Sequence, residues 1–132
     1  MSDPTIGRRA ERLKALRGAI TAEANLSEEI LAATSELMRE LMERNDLRPE
    51  DVVSCIFTAT NDLDAEFPAV AARSLGFASV PLLCATEIPV EGSLPMTIRV
   101  LIHYYPSDPG REARHVYLRG ASALRADLSS AQ

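Results

Sequence analysis

The sequence lacks the short motifs that accompany metal, nucleotide or thiol chemistry. It has no CxxC pair, no glycine-rich phosphate loop and no GxGxxG turn, and its two histidines, His103 and His115, are isolated. It also lacks the glycine-flanked serine of a nucleophile elbow. We therefore expect no metal, no cofactor and no serine-type catalytic triad.

Long apolar runs and cysteines are also scarce. No apolar stretch approaches the roughly 20 residues of a membrane span, and the basic start of the chain lacks the features of a signal peptide. Cys55 and Cys84 lie inside the apolar runs VVSCIF and VPLLCAT, which favours reduced, buried thiols over a disulfide framework. These features predict a soluble, cytoplasmic protein with no membrane partner.

Charge is present but forms no strong basic stripe. The 132 residues carry 14 basic and 19 acidic side chains, a net charge of −5, so we do not expect nucleic acid as a partner. With 46% hydrophobic and 25% charged residues, the composition is that of one globular domain. Every basic residue except Lys14 is arginine, which reflects either biased codon usage or recognition of carboxylates by planar guanidinium groups.

Hydrophobic periodicity predicts two helices. Ser27 is placed to cap the first, and apolar residues or threonine then recur at helical spacing as far as about Asn45. Phe67 and Pro68 open a second, short helix, which Gly76 is placed to close.

Apolar segments before, between and after these helices predict strands. LKALRGAIT forms the first strand, ending at Gly18, and DVVSCIFTAT forms a central one. SVPLLCATE, MTIRVLIHYY and RHVYL follow, and ASALRADL is expected to be a last, short extended piece. This order favours an α/β or α+β sheet of about five strands with helices on one face.

The chain divides into one domain and two tails. We expect a flexible N-terminal tail over residues 1–12, a single domain over 13–128 and a C-terminal tail over 129–132. The predicted strands are apolar on both faces, yet two helices cover only one face. A homo-oligomer that buries the second face is therefore expected.

Arg99 and Glu87 are charged residues in places where charge is costly. Arg99 is the only permanent charge in MTIRVLIHYY, and Glu87 ends the apolar segment SVPLLCAT. A buried arginine needs an anionic partner, because an unpaired buried charge is strongly destabilising. Glu87 is either that structural partner, an exposed residue at a strand end, or the acceptor of a hydrogen bond from a ligand hydroxyl.

Three further residues can join Arg99. Arg17 lies at the end of the predicted first strand, Tyr117 lies in the fifth, and Arg125 lies near the C-terminus. Taken one at a time, they are most simply surface arginines and a core tyrosine. Together with Arg99 they could form a cationic pocket for a small, multiply charged acid.

Four stretches closely resemble, in order and spacing, the monofunctional chorismate mutases of the trimeric pseudo-α/β-barrel class. They are LRGAITAEANLSEEI, SCIFTATNDLDAEFPAVAAR, VPLLCATEIPVEGSLPMTIRVLIHY and RHVYLRGASALRADLS. The resemblance extends from about Leu13 to Leu128. It implies a homotrimer whose mixed five-stranded sheets pack into a pseudo-α/β barrel, with active sites between adjacent subunits. It also implies an isomerase that rearranges chorismate to prephenate, without a cofactor, in phenylalanine and tyrosine biosynthesis.

The resemblance implies three catalytic residues. Arg17 would bind a substrate carboxylate, Glu87 would lie near the ring hydroxyl, and Arg99 would contact the ether oxygen and a carboxylate. Some members of the family carry a lysine where this chain has Val70. An electrostatic role for that position is therefore not expected here.

Five substrate-binding residues are implied in the same way. Phe67 and Arg73 would lie at the pocket entrance, and Cys84 near the ring hydroxyl. Tyr117 would lie beside the side-chain carboxylate, and Arg125 near the ring carboxylate.

Two other functions remain open at this point. A trimeric enamine/imine deaminase would also use an arginine at a subunit cleft, but it does not explain Glu87 and Tyr117 together. A non-catalytic trimer that binds a small acid as a sensor would use the same arginines as an enzyme.

Overall fold

Five strands form one mixed sheet in the computed structural model, which describes residues 12–125. The strands are β1 (Lys14–Thr21), β2 (Val52–Ala59), β3 (Leu82–Thr86), β4 (Thr97–Tyr104) and β5 (Val116–Leu118). Their order across the sheet is β3-β2-β4-β1-β5. Strand β4 pairs antiparallel with β1 and β2, whereas β3 and β5 run parallel to their neighbours. The predicted mixed, five-stranded sheet is confirmed.

One detail of the predicted strands is wrong. Strand β1 does not end at Gly18 but continues to Thr21, because its last residues pair with the start of β4. Strand β2, predicted to be central, is an internal strand between β4 and the edge strand β3. Strand β4 is internal as well, and the sequence alone did not determine the order of the two across the sheet.

Helix α1 (Ser27–Asn45) packs its predicted apolar stripe against the sheet. The fully buried members of the stripe are Ile30, Thr34, Leu37, Met38 and Leu41. The predicted serine cap is wrong, because the cap position is Leu26 and the Ser27 hydroxyl donates to Glu66 Oε2 at 3.0 Å. Among residues 12–125, no helix is both long and apolar enough to cross a membrane.

Helix α2 (Ala69–Ala72) is short and widens into a turn over Arg73–Phe77. Gly76 has φ = 102°, a left-handed conformation that favours glycine, and Phe77 after it is fully buried. Gly76 therefore closes this helical segment as predicted, and Phe77 anchors it to the core.

Gly18 lets α1 approach the sheet closely. A Cβ at this position would lie 2.7 Å from Leu41 Cδ1 and 3.2 Å from Leu37 Cδ1, both on α1. It would also lie 3.2 Å from Val100 Cγ1 on the neighbouring strand. The missing side chain thus makes room for two leucines of the core.

Replacing Gly18 by alanine is expected to destabilise the fold by about 1–3 kcal/mol, because a methyl group is forced into a packed core. Chemical denaturation of the variant measures this loss. Gly110→Ala is the matched control, since its Cβ would lie 3.7 Å from the nearest atom, Asp108 Oδ1, at ordinary contact distance. Equal stability losses in the two variants would contradict the close approach at Gly18.

The segment ASALRADL was predicted to be extended, and its described part is helical instead. A 3₁₀ turn covers Arg119–Ala123, and Arg119 starts it with φ = 53°. The Gly120 N–H donates to Thr21 Oγ1 at 3.0 Å, which folds the turn back onto the end of β1. Ion pairs from Arg119 to Glu29 and Glu36 hold it against α1.

One face of the sheet packs against α1, and the opposite face is open. On this open face, exposed or half-exposed side chains come from every strand; they include Arg17, Ile56, Thr58, Leu83, Arg99, Leu101 and Tyr117. Leu83 is 60% exposed, which is unusual for a leucine within a strand.

The predicted tails lie outside the described residues apart from Arg12, so the domain limits 13 and 128 stay a prediction.

Candidate active site

A row of side chains crosses the open face at the level of Arg99. In the strand register, Arg99 on β4 lies opposite Thr58 on β2 and Ala19 on β1, and Ala19 lies opposite Tyr117 on β5. Residues that are aligned in this way point to the same face of a sheet. The small Ala19 side chain leaves a space between the arginine and the tyrosine.

This space is part of a groove of about 520 Å³. Arg17, Thr58, Glu87, Arg99 and Tyr117 supply its polar lining. Apolar contacts come from Ala19, Ile56 and Leu101. A mostly apolar cleft with a few convergent polar groups is the usual form of a small-molecule site.

Arg99 and Glu87 form an ion pair in the groove, with 2.8 Å between Arg99 Nε and Glu87 Oε1. The Arg99 side chain is 45% exposed and that of Glu87 is 25% exposed. The expectation that Arg99 is buried is therefore wrong, because the open face of β4 carries no cover in the described part of the chain. Of the alternatives for Glu87, the structure supports the direct partner of Arg99. Glu87 also borders a space that is large enough for a small ligand.

Thr58 is a groove residue that the sequence analysis missed. Its hydroxyl donates to Glu87 Oε1 at 2.9 Å, and the Glu87 backbone N–H donates to Ala59 O at 2.9 Å. The available signal was the alternation of β2, which places Ser54, Ile56 and Thr58 on one face. The sequence alone does not show which residues of the neighbouring strands lie beside them, because that depends on the strand register.

Arg17 lines the same groove, two residues before Ala19 on β1. Its backbone N–H donates to Nδ1 of His115, just before β5, at 3.0 Å. Desolvation of the ring, and then the charge of Arg17, lower the pKa of His115. His115 is therefore held neutral, with Nδ1 as a hydrogen-bond acceptor.

Acid is expected to weaken this contact. Because the pKa of His115 is lower in the folded than in the unfolded state, the unfolded chain takes up the proton first. The contribution of His115 to stability is thus complete at neutral pH and declines as the pH falls below about 6.5. His115→Asn keeps an acceptor but does not titrate, so denaturation curves should show its stability rising relative to wild type between pH 7.5 and 5.5. If the difference in stability between His115→Asn and wild type did not change with pH, the lowered pKa of His115 would be contradicted.

Tyr117 brings an unsatisfied polar atom to the site. Its hydroxyl is buried and has no hydrogen-bond partner among residues 12–125. A buried hydroxyl without a partner is costly, and native structures rarely keep one without a reason. A bound polar ligand in the groove would provide the missing partner.

The remaining predicted site residues do not reach this groove within one chain. Phe67 and Cys84 line a second groove of about 390 Å³, and Phe67 is 66% exposed there. Arg73 and Arg125 are exposed and line neither groove. One chain therefore brings Arg17, Glu87, Arg99 and Tyr117 together and leaves the other four predicted residues outside that groove. Residues 12–125 also contain no group of three or more metal-ligating side chains.

Comparison with known proteins gives a consistent family assignment. The family model for chorismate mutase type I matches residues 13–128. The chorismate mutase AroH of Thermus thermophilus is 49% identical over 91% of this chain and 99% of its own length. The chorismate mutase AroH of Bacillus subtilis is 43% identical over 89% of this chain and 93% of its own length.

A solved structure agrees with these sequence relatives. A chorismate mutase from Clostridium thermocellum superposes with a TM-score of 0.80 at 46% identity, covering 83% of this chain and 98% of that one. Family model, relatives and solved structure thus each cover most of the chain and agree on one family. The chain belongs to the chorismate mutase type I family.

Proposed function

We propose that this protein is an isomerase that converts chorismate to prephenate, and that the groove on the open face is one half of its active site. The observation that carries the proposal is the Arg99–Glu87 pair opposite the Tyr117 hydroxyl, which has no partner within residues 12–125. The family assignment supports the same reaction and removes the deaminase alternative.

The reaction suits a site built from fixed charges. In chorismate, one C–O bond breaks while one C–C bond forms in a single pericyclic step, so no proton transfer and no covalent intermediate are needed. An enzyme can accelerate such a step by holding the compact conformer and by stabilising charge that develops in the transition state. Arginines and a carboxylate provide both, and they need no activated nucleophile.

Arg99 is proposed to stabilise the breaking C–O bond. As this bond lengthens, negative charge grows on the ether oxygen, and a nearby guanidinium binds the transition state more tightly than the ground state. The ion pair with Glu87 restrains Arg99 before the substrate arrives, so less reorganisation is needed during the reaction. Glu87 in turn can accept a hydrogen bond from the ring hydroxyl.

Arg17 and Tyr117 are proposed to bind a carboxylate at the other side of the groove. Tyr117 lies across the Ala19 gap from Arg99, and Arg17 lies two residues before Ala19 on β1, the strand next to that of Arg99. A carboxylate between them would give the Tyr117 hydroxyl its missing partner and would pair with the Arg17 guanidinium. The substrate would then be held between two cations, which favours its compact form.

Charge balance supports a site completed by a second subunit. The groove holds two arginines and one glutamate, a net charge of +1, whereas the substrate has two carboxylates. Three predicted binding residues lie outside this groove, and a neighbouring copy would bring them to it: Phe67, Arg73 and Cys84. We propose a homotrimer in which this packing also covers exposed apolar residues such as Leu83. Arg125 would approach the ring carboxylate.

The cellular setting is part of the proposal. Both Cys55 and Cys84 are free thiols, and burial raises the pKa of the Cys55 thiol to about 12, so that it stays protonated. Such thiols suit the reducing cytoplasm. There the product would enter phenylalanine and tyrosine biosynthesis.

Incubating the purified protein with chorismate tests the proposed activity. The absorbance of chorismate should decline at a rate proportional to enzyme concentration, with prephenate as the product. Calorimetric binding of chorismate without turnover would instead support the small-acid sensor and overturn the enzymatic proposal.

A further inference from the structure

Thr58 is a groove residue to which no function has yet been assigned. It lies in the row on the open face, between Arg99 on β4 and Ala85 on β3. Its hydroxyl donates to Glu87 Oε1 at 2.9 Å, and the same oxygen lies 2.8 Å from Arg99 Nε. Two independent contacts thus converge on one carboxylate oxygen.

We propose that Thr58 is a positioning residue that holds the Glu87–Arg99 pair in its reactive arrangement. The inference rests on the proposed function, because it assigns Thr58 a part in the same reaction. Ala59 accepts the Glu87 backbone N–H at 2.9 Å, and this fixes the main chain of Glu87 at the end of β3. The Thr58 hydroxyl then fixes the side chain, so neighbouring residues of β2 hold both parts of Glu87.

The position of the glutamate oxygen matters for two reasons. With Oε1 engaged by Thr58 and Arg99, acceptance of a substrate hydroxyl falls to Oε2. Without the threonine hydroxyl, the carboxylate can rotate and draw the guanidinium with it, which moves the positive charge away from the ether oxygen. Misplacement of charge affects the transition state more than substrate binding. The loss should therefore appear in kcat and much less in KM.

Thr58→Val removes the hydroxyl but keeps the size and the β-branched shape that suit a strand. We expect kcat to fall at least about tenfold, the effect of losing one hydrogen bond to a charged group, while KM changes little. Thr58→Ser keeps the hydroxyl and should restore most of the lost activity. In a Glu87→Ala background, which lacks the oxygen that Thr58 contacts, the Thr58→Val change should have a much smaller effect, because Thr58 acts through the Glu87 carboxylate.

The matched control is Ser54→Ala, on the same strand and the same face. Its hydroxyl is 3.3 Å from His103 Nδ1 and does not contact Glu87, so kcat should be unchanged.

Wild-type protein that leaves chorismate unconverted would refute the proposed function itself. Active wild-type protein, combined with an unchanged kcat in Thr58→Val, would overturn only the role of Thr58. An equally large effect of Thr58→Val in the Glu87→Ala background would overturn it as well.

Discussion

Replacing Arg99 by citrulline is expected to lower kcat by about 10²- to 10³-fold, equivalent to about 2.7–4 kcal/mol of transition-state stabilisation. Citrulline keeps the shape of the arginine side chain and most of its hydrogen-bond donors but removes the positive charge. The partial charge on the ether oxygen exists mainly in the transition state, so chorismate affinity should fall much less than kcat. Steady-state kinetics of the semisynthetic variant measure both quantities.

Arg99→Lys separates charge from geometry at the same site. Lysine restores the charge but lacks the planar fork that can donate to an ether oxygen and a carboxylate together, so kcat should again be strongly reduced. Thermal unfolding serves as the control, because Arg99 is half-exposed and its ion pair with Glu87 adds little to stability. A well-folded citrulline variant with normal kcat would exclude Arg99 from the mechanism. A large loss of stability with normal turnover would make the pair purely structural.

Mixing two inactive variants is expected to restore activity if the site is shared between subunits. Arg99→Ala damages the groove on the open face, and Arg73→Glu damages the residue that a neighbouring copy is proposed to contribute. In randomly mixed trimers, about one quarter of the sites combine two intact halves. Equimolar chains, denatured and refolded together, should therefore recover about a quarter of the wild-type activity, far above either variant alone.

A second mixture controls for nonspecific effects of refolding. Arg99→Ala and Arg17→Ala both damage the same groove, so no mixed trimer has a site in which both residues are intact. This mixture should stay inactive. Light scattering should give three times the chain mass of 14.4 kDa for each sample. A monomer, or the absence of recovery in the first mixture, would refute the shared site.

Local patterns in the sequence determined most of the elements. The apolar stripe of α1 follows directly from helical periodicity, and each of the five strands was recognised as a short apolar segment. Arg99 and Glu87 were identified because a charge inside or beside an apolar strand is costly, and they do pair with each other. Two helices and five strands also implied a sheet with one uncovered face. These features depend on nearby residues, so one chain sequence is sufficient to predict them.

Only the tertiary structure decided which side chains share the groove. Thr58, Arg99, Ala19 and Tyr117 meet because of the strand register, which joins residues up to about 100 positions apart in the chain. The helical turn at Arg119 depends on a positive φ and on contacts with Thr21 and α1, which local propensity does not contain. The half-exposure of Arg99 depends on what covers the sheet, and that is a property of packing. The sequence determined which residues are unusual, whereas long-range pairing decided where they act together.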